Sequence, residues 1–508
     1  MQICLIKPPI LHKGTSFALM PTPPLGLAYI AGTLEQITSE IQVIDASAFS
    51  AQKKELFSGE VYLFGLNKFE VTNRIKGNPQ IICISLMFTN NWLHDRELIK
   101  EIKNSFPNAI LIAGGEHATA APELCLKQSP LDFIVLGEGE EIIFQLVDSI
   151  SKNMEPKEIS GIAFRENETI VQTQRKKRIK NIEELAWPAW HFFPLDSYFE
   201  HKMSHGIYKG KTLPVMATRG CPYECTFCSS PLMWGRNYYM RSPKDFVDEL
   251  EYLNKTYQVV NFDLFDLTAI IVKDWIIQTC DEIIKRKLNI TFQLPSGTRA
   301  EAIDYEVAIA LKTAGCSNIT YAPESGSARV LKEIKKKVEL NKMLFSIKQS
   351  SKAGINIHLN MIIGFPNDTH KDIFQTLWFL IKCSWFGAND MAMAVFTPYP
   401  GSEMFRELNQ KGKLDLFDDQ ILIEIIESYD LWPSKVYSSK VNPFFIKLYV
   451  LLSLITFYSS NYLFRPIRFF RTMRNLLFNK HESRLEQILY KNFLRNFFHL
   501  KTSKKNVY

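Results

Sequence analysis

The sequence lacks the features of a secreted or fibrous protein. Its nine cysteines suggest no disulfide framework, and its 23 glycines and 24 prolines in 508 residues are near the average for globular chains. The opening stretch MQICLIKPPI is interrupted by Pro8 and Pro9 too early to predict a signal peptide. These absences predict a globular, cytoplasmic protein with reduced thiols, and the length predicts two or three domains.

An excess of basic charge is lacking over most of the chain, although the net charge is +7. Residues 431–508 contain 14 Lys or Arg and two Glu, a net charge of +12, so the remainder carries about −5 (7 − 12). A body that is acidic on balance is not typical of nucleic-acid-binding proteins. We therefore predict no nucleic-acid partner.

Residues 1–155 lack the G-x-G-x-x-G turn of dinucleotide-binding domains. Apolar runs such as QICLIKP and AILIAGG alternate with helical patterns, which predicts a doubly wound parallel sheet of the Rossmann-like kind. In such sheets ligands bind at the carboxyl ends of the strands. Two of these ends carry glycines, in residues 114–115 and 137–139, which form tight turns or let a ligand approach the backbone.

The stretch TRGCPYECTFCSS, residues 218–230, carries the strongest chemical signal. It has no fourth cysteine, and no second cysteine pair completes a structural zinc site, although a zinc site or a chance grouping are the alternatives. Three thiolates at this C-x3-C-x2-C spacing can hold three corners of an iron–sulfur cluster and leave one iron open. The predicted ligands are Cys221, Cys225 and Cys228. The remaining cysteines are predicted to be small core residues.

The spacing, with Phe227 before the last cysteine, resembles the C-x3-C-x-aromatic-C signature of the radical S-adenosylmethionine (SAM) superfamily. The resemblance implies a [4Fe-4S] cluster whose open iron binds SAM, and an external electron donor such as flavodoxin or ferredoxin. Residues 213–425 contain six strand–helix units, which predict a (β/α)6 partial barrel with chemistry at the strand ends. The predicted SAM contacts are Phe227, Asp266, Arg299, Glu324, Ser325 and Gly364.

Two of these SAM contacts have an ordinary structural alternative. Asp266 and Arg299 are equally typical of a helix cap or a salt bridge. If they bind SAM, Asp266 accepts from its ammonium group, and Arg299 balances its carboxylate or holds Glu324. No catalytic acid or base stands out in the sequence.

Three motifs of the first region, PPLGLAYIA, GGEHAT and LGEGE, resemble the cobalamin-binding domain that precedes many radical SAM domains. The Asp-x-His-x-x-Gly motif of cobalamin mutases is missing there, and the chain's one Asp-x-His, at Asp368, has Ile373 in place of the glycine. His117 is therefore predicted to lie in a loop near the corrinoid and not on cobalt. A cobalamin fold without the cofactor is the alternative. The implied cobalamin contacts are Pro24, Gly26, Gly114, Gly115, His117, Gly137, Glu138 and Gly139.

The remaining segments are a linker and a helical C-terminal region. Residues 156–212 predict a small hairpin, a solvated basic run at 175–180 and an aromatic strap. In residues 426–508, only 17 uncharged residues separate Lys447 from Arg465, which is short for a span of ~20 residues. Arginines then recur every third residue from Arg465 to Arg474. This pattern predicts a segment on an anionic membrane surface, a packed cap on the barrel, or a span.

The combined resemblance implies a cobalamin-dependent radical SAM enzyme. The predicted reaction is methylation of an unactivated carbon of a small-molecule or lipid substrate, through a 5′-deoxyadenosyl radical and methylcobalamin. The first alternative is a radical SAM enzyme that forms or rearranges rings without net methyl transfer. An alternative of another class is a non-catalytic iron–sulfur electron carrier. A cytoplasmic location with peripheral membrane contact is expected.

Overall fold

The computed structural model describes residues 1–13, 21–50, 53–175, 179–299, 301–427 and 435–490. The chain divides into two compact units, each made of non-contiguous segments. Unit 1 comprises residues 1–203, 218–242 and 397–435, and unit 2 comprises residues 204–217, 243–396 and 436–508. The four regions predicted above, residues 1–155, 156–212, 213–425 and 426–508, remain predictions. Each of them is one continuous stretch of chain, whereas each compact unit combines several stretches.

Strands and helices are numbered in chain order through both units. The strands are β1 Ile3–Lys7, β2 Ile10–Lys13, β3 Ile41–Asp45, β4 Lys54–Ser58, β5 Val61–Phe64, β6 Ile81–Ser85, β7 Ile110–Gly114, β8 Phe133–Val135, β9 Ile162–Glu166, β10 Thr169–Gln172, β11 Thr212–Val215, β12 Thr218–Arg219, β13 Tyr239–Met240, β14 Asn261–Leu264, β15 Thr291–Thr298, β16 Cys316–Glu324, β17 Asn356–Ile363 and β18 Asp390–Val395.

The helices are α1 Leu25–Leu34, α2 Ala46–Phe49, α3 Lys68–Thr72, α4 Trp92–Ser105, α5 Glu116–Ala120, α6 Pro122–Gln128, α7 Glu140–Ser151, α8 Leu195–Glu200, α9 Ser230–Trp234, α10 Pro243–Tyr257, α11 Lys273–Lys285, α12 Tyr305–Thr313, α13 Ala328–Glu333, α14 Leu340–Lys352, α15 His370–Phe386, α16 Glu403–Gln410, α17 Asp419–Glu427, α18 Pro443–Phe464, α19 Pro466–Leu477 and α20 Arg484–Leu489.

Unit 1 is built on a seven-stranded sheet of order β10-β9-β8-β7-β6-β1-β3. Five strands of this sheet, β8, β7, β6, β1 and β3, are parallel to one another. The strands β9 and β10 form an antiparallel hairpin at the edge. The parallel strands are almost entirely apolar because helices cover both faces. The chain order reverses between β1 and β6, so the carboxyl ends of these two strands form the switch point at which such sheets bind ligands. The predicted doubly wound sheet is confirmed.

Unit 2 contains six parallel strands in the order β11-β14-β15-β16-β17-β18. Each strand pairs with the next one in this order, as a (β/α)6 partial barrel requires. The helix α15 shows how local signals set the element limits: Thr369 and Asp372 form a reciprocal capping box, and Gly387 ends the helix with a φ of 123°. The predicted partial barrel is confirmed.

The helix α18 packs against α15 and β18, and both polar groups and apolar groups hold it there. The Tyr458 hydroxyl donates to the buried carboxylate of Asp390 at 2.5 Å, and the Asn461 amide donates to the Ala388 carbonyl at 2.6 Å. The packed cap predicted as one alternative is therefore present. By length and composition α18 could also cross a membrane, but one such helix is weak evidence, and 33% of its most apolar window is buried.

Replacing Tyr458 with phenylalanine is expected to lower the free energy of unfolding by about 1–3 kcal/mol. Burial alone would raise the pKa of Asp390, but His358 and Tyr458 hold it below its usual value, so the carboxylate is charged and needs its donors. Urea denaturation measures the change. Tyr305→Phe, which removes an exposed hydroxyl at the start of α12, is the control and is expected to change little. Equal stability of the two variants would contradict the prediction.

Candidate functional site: the cysteine loop and the strand ends

The cysteine loop belongs to unit 1 and is anchored by the antiparallel pair β12–β13. Cys221, Cys225 and Cys228 are partly exposed, whereas the other six cysteines are buried. The backbone N–H of Cys228 donates to the Cys225 carbonyl at 3.1 Å, which makes a tight turn between these ligands. Burial raises the pKa of Cys228, and its proximity to Cys221 raises it further. The three thiols are thus partly exposed, and Cys225 and Cys228 share one tight turn.

Three cysteine thiols in one loop are a donor set that a [4Fe-4S] cluster can use. No three His, Cys, Asp or Glu side chains within the described ranges converge on one metal position. In a [4Fe-4S] cube each cysteine binds a different iron, so such convergence is not needed. The loop also leaves the fourth corner without a cysteine, which is the position that a small molecule occupies.

The residue that leads into the loop, Arg219, forms a buried ion triad. Its guanidinium lies 2.6 Å from Glu140 and 3.4 Å from Glu138, and all three side chains are at most 8% exposed. The same guanidinium lies over the rings of Tyr29 and Trp234. Burial alone would lower the pKa of Arg219, but the two carboxylates raise it above its usual value. The triad therefore binds the start of the cysteine loop to the loop that follows β8.

The other flank of the loop is attached to the turn that follows β7. Ser229, directly after Cys228, donates a short hydrogen bond to the Glu116 carboxylate. The Arg175 guanidinium donates to the carbonyls of Leu232 and Met233, at 2.5 and 2.7 Å, in the helix α9. Arg175 belongs to the basic run that was predicted to be solvated. These two hydrogen bonds show that its side chain is bound instead. Of this run, residues 176–178 lie outside the described residues.

The glycines predicted to contact cobalamin divide into two kinds. Gly115 and Gly137 have φ values of 119° and 82°, and a Cβ on Gly115 would lie 2.6 Å from the Leu86 carbonyl, so the turns themselves require glycine. Gly26, on α1 directly after Pro24 and Leu25, has no atom of the described residues within 4 Å of its Cβ position. No described residue requires glycine at this exposed position, so the described part of the chain leaves room beside α1.

The other predicted contacts in these loops are also turn residues. Gly114 ends β7, and Gly139 precedes α7. A Cβ on Gly139 would lie 3.1 Å from Ile30, which is a tight contact with α1.

His117 is buried in α5, directly after β7, and is neutral. Its Nδ1 lies 3.0 Å from the Thr89 hydroxyl, and Trp92 packs against its ring. Burial lowers its pKa to about 3. Its Nε2 is buried without a hydrogen-bond partner among the described residues. A buried polar atom left without a partner is uncommon in folded proteins and is consistent with a missing ligand. The sequence did not reveal the role of Thr89.

A second buried charge cluster joins α8, in the aromatic strap of the linker, to the sheet of unit 1. Lys7, at the carboxyl end of β1, donates to the Tyr198 hydroxyl at 2.7 Å and to the Thr22 carbonyl at 2.9 Å. Tyr198 in turn donates to Asp45 at 2.5 Å. Lys7 therefore holds the segment that leads to Pro24 and Gly26. The signal in the sequence was a lysine at the end of an apolar strand, which sequence reasoning missed.

In unit 2 one predicted site residue, Glu324 at the end of β16, has an unusual backbone conformation. Its φ is 64°, which a residue other than glycine rarely adopts, and its side chain is buried beside Lys336 at 2.8 Å. The pairing of β16 with β17 also shifts register at this point. Arg299 donates to the Lys337 carbonyl and lies 3.3 Å from Glu301. The lysine partner of Glu324 was not anticipated.

The other barrel candidates lie in turns. Asp266 is buried and accepts from the Ala217 N–H at 3.3 Å, in the residue just before the cysteine loop begins. The Ser325 hydroxyl lies 3.2 Å from that of Thr376 and accepts from the Ser327 N–H, so it orders the turn. Phe227 is partly exposed.

Gly364 has a φ of 81°, and the turn it opens is closed by Asp368. The Asp368 carboxylate accepts from the backbone N–H groups of Gly364 and Phe365 at 2.8 and 3.1 Å. The one Asp-x-His of the chain therefore serves this turn and the start of α15. Its histidine, His370, lies 2.8 Å from the Tyr449 hydroxyl.

Asp368→Asn is expected to stabilise the protein at pH 8 by about 1–3 kcal/mol. Burial raises the pKa of Asp368 from 3.8 to about 7, although its two backbone donors lower it. A raised pKa means that the folded state holds the proton more tightly, so stability is full below pH 3.8 and falls as the pH rises towards 7. Urea denaturation at pH 5 and pH 8 should show a larger gain at pH 8. The exposed replacement Asp274→Asn controls for the lost charge, and a gain independent of pH would contradict the assignment.

Comparison with known proteins identifies both regions. Residues 18–147 match the model of the B12 binding domain, and residues 215–380 match that of the radical SAM superfamily. The chain belongs to the radical SAM proteins that carry a B12-binding domain. The predicted cofactor classes, cobalamin, a [4Fe-4S] cluster and SAM, agree with these two domains.

Several relatives of this radical SAM protein are known. It is 29% identical to an uncharacterized methyltransferase of Pyrococcus horikoshii, over 80% of this chain and 82% of that protein. It is 28% identical to the cytidylyl-2-hydroxyethylphosphonate methyltransferase of Streptomyces wedmorensis, over 78% and 79%. It is 27% identical to the anaerobic magnesium-protoporphyrin IX monomethyl ester cyclase of Cereibacter sphaeroides, over 82% and 65%.

A solved structure shares the fold of this radical SAM protein. It is the radical SAM methyltransferase TsrM of Kitasatospora setae, with cobalamin and a [4Fe-4S] cluster bound. The TM-score is 0.64 at 16% identity, and the match covers 81% of this chain and 78% of that chain. At this identity the likeness concerns the fold alone.

Proposed function

We propose that this protein is a cobalamin-dependent methyltransferase that adds a methyl group to an unactivated carbon of a small-molecule or lipid substrate. One observation carries the proposal: within unit 1, both flanks of the cysteine loop are bound to the loops after β7 and β8 of the B12-binding sheet. Such an arrangement suits a protein that uses a corrinoid and a cluster together. The two methyltransferase relatives support the same conclusion.

When bound, the cluster supplies the electron that cleaves SAM to a hydrogen-abstracting radical, and the corrinoid carries the methyl group. The residues of this chain bind and orient these groups. Cys221, Cys225 and Cys228 hold the cluster and leave one iron for the amino and carboxylate groups of SAM. The buried Asp266 accepts from the SAM ammonium group. Removal of substrate hydrogen as an atom needs no side-chain base.

The remaining barrel candidates position the rest of SAM. Glu324, held in its unusual backbone conformation, and Ser325 bind the ribose or amino group, and Arg299 balances the carboxylate. The positive φ of Gly364 lets the adenine approach the backbone there. The main chain at Phe227 contacts the adenine as well. Electrons come from an external donor such as flavodoxin or ferredoxin.

The corrinoid contacts are proposed at the carboxyl edge of the unit 1 sheet. The space beside Gly26 and the partnerless Nε2 of His117 support them. His117 is neutral and lies close to the site, and we assign it no bond to cobalt. The other members of this set are Pro24, Gly114, Gly115, Gly137, Glu138 and Gly139.

The test is anaerobic reconstitution with iron, sulfide, dithionite and SAM. Methylation consumes two SAM molecules: one gives the methyl group and leaves S-adenosylhomocysteine, and the other gives 5′-deoxyadenosine and methionine. Both nucleoside products are expected once the substrate is present. Mass spectrometry of metabolites and lipids, with and without the enzyme, should find a product heavier by one methylene unit. A protein that holds its cluster but never releases 5′-deoxyadenosine would be an electron carrier instead.

Cobalamin binding has its own test. Protein produced with the vitamin should show the visible absorption of a bound corrinoid in addition to that of its cluster. Protein with the cluster absorption alone would contradict the corrinoid assignment and leave the radical SAM assignment in place.

Ring formation without methyl transfer is the second candidate function. The 27% identity to the protoporphyrin cyclase over 82% of this chain favours it. The products separate the two candidates. Ring chemistry releases 5′-deoxyadenosine without S-adenosylhomocysteine, and its product lacks the added methylene unit.

A further inference from the structure

An apolar stripe, interrupted by Ser459, runs along the exposed side of α18 in unit 2. Its exposed members recur every three or four residues, which places them on one face of the helix. The buried stripe opposite them faces α15 and β18, so the exposed stripe is not needed for packing within the unit. Ser459 is the polar residue within the exposed stripe. The apolar members are Phe444, Leu448, Leu451, Ile455 and Leu463.

The helix α19 is amphipathic in the reverse sense of an ordinary surface helix. It exposes Ile467, Phe470 and Leu477, at 82, 70 and 61%, and buries the polar residues Thr472 and Asn475 together with Leu476. A surface helix in water places its polar residues outward. This orientation therefore suits a helix whose outer side meets apolar surroundings.

A third stripe runs along α15 and contains aromatic and basic residues. The exposed residues Lys371, Phe374, Trp378, Lys382 and Trp385 follow helical spacing. Tryptophan and lysine together are typical of the boundary between a membrane and water. Acidic residues are absent from this stripe, since Asp372 is buried.

The stripes of α15 and α18 lie side by side along their length. Ring contacts join the two helices near both ends, with Phe374 and Tyr449 at 5.6 Å and Trp385 and Phe464 at 4.9 Å between centroids. We use the name apolar face for the exposed residues of α15, α18 and α19 given above. An apolar area that spans three helices exceeds what scattered surface residues produce.

The segment that forms α18 and α19 contributes no acidic side chain to the apolar face. No Asp or Glu occurs between Pro443 and Leu477. The structure also corrects the predicted basic side of α19: Arg468 turns inward to the Ala388 carbonyl at 2.9 Å, and Arg471 pairs with Glu482 at 3.2 Å. Arg474 is exposed. Apolar side chains, with a few cations around them, therefore make up the outward side.

A cleft of about 570 Å³ opens beside Trp378, between α13, α14 and α15. Its lining includes the exposed amines of Lys371 and Lys382. Arg329 also lines it and is paired with the Asp372 carboxylate at 2.5 Å. The two lysines leave the cleft cationic, which suits a phosphate group.

We propose that unit 2 docks on the surface of an anionic phospholipid bilayer through the apolar face, with a lipid phosphate in the cleft. The helices α18 and α19 then lie in the plane of the membrane. A span is disfavoured because α18 is held to the barrel by its buried stripe and by Tyr458 and Asn461. This docking does not depend on the proposed reaction.

Flotation of the full-length protein with lipid vesicles tests the proposal. The protein should float with vesicles of phosphatidylcholine and phosphatidylglycerol, and bind less to phosphatidylcholine alone or at high salt. The double variant Ile467→Glu/Phe470→Glu should lower the affinity at least about tenfold. The matched control is Tyr305→Glu/Ile309→Glu, which places two charges at exposed positions of α12 and should bind as the wild type does.

A second pair of substitutions tests the phosphate site in the cleft. Lys371→Gln/Lys382→Gln should remove most of the preference for phosphatidylglycerol and leave binding to phosphatidylcholine unchanged. Three outcomes would overturn the proposal. Dimerisation of the wild type with rising concentration, without binding to vesicles, would make the face an interface between two copies. The control variant could lose binding as fully as the α19 variant. Release from vesicles by detergent alone, and not by salt or carbonate, would indicate a span.

Discussion

Cys225→Ala is expected to abolish 5′-deoxyadenosine formation and to remove the cluster's visible absorption. Three thiolates with a vacant fourth corner are the smallest set that holds a cube and still binds SAM, so two cannot do so stably. The loss of SAM cleavage should exceed about a thousandfold, because without the cluster no electron reaches SAM. Iron and sulfide analysis and product chromatography after anaerobic reconstitution measure both effects.

Cys280→Ala is the matched control for this experiment. Cys280 is buried in α11, and burial raises the pKa of its thiol to about 12, so it stays a neutral core residue. Its replacement should lower stability modestly and leave the iron content and SAM cleavage unchanged. If Cys225→Ala kept its iron while Cys280→Ala lost it, the ligand assignment would be wrong.

The second large effect is expected from Arg219→Met. The substitution removes the cation between Glu138 and Glu140, so both buried carboxylates lose Arg219 as their positively charged partner. Breaking a buried ion pair from one side lowers the free energy of unfolding by about 3–5 kcal/mol. Burial alone would raise the pKa of Glu140, but Arg219 holds it below its usual value, so the carboxylate is charged in the native state. Urea denaturation measures the loss.

Two further variants separate this explanation from a simple loss of packing. Adding Glu138→Gln and Glu140→Gln to Arg219→Met should recover a large part of the stability, because the unpaired charges are gone. Arg96→Met breaks a pair with Asp419, whose carboxylate is 46% exposed, and should cost at most about 1 kcal/mol. A triple variant as unstable as Arg219→Met alone would show that the triad's charges are not the cause.

Local patterns predicted most of the architecture. Strand–helix alternation predicted both parallel sheets, because the period of apolar residues is set by the geometry of each element. The cysteine spacing likewise predicted a cluster loop, since all three ligands lie within eight residues of chain. The predicted site residues themselves remain proposals, and the likeness to TsrM concerns the fold alone.

Long-range pairings were not predictable in the same way. Arg219 meets Glu140 across 79 residues of chain, and Tyr198 meets Asp45 across 153. Nothing local distinguishes these residues from solvated ones. The backbone conformation of Glu324 was equally hidden, because a positive φ outside glycine persists only when the surrounding structure imposes it.

The C-terminal region shows most clearly how far the sequence alone predicts the structure. Its composition predicted a helix with apolar and basic residues but left three environments open, because helical spacing specifies which residues share a side and not which way that side faces. The tertiary structure decided that α18 packs on the barrel and that α19 turns its polar side inward. The sequence by itself therefore determined the cluster loop and the two sheets, since these depend on local spacing. Only the tertiary structure decided which charges are buried together and which apolar side chains face outward, since both depend on contacts between distant parts of the chain.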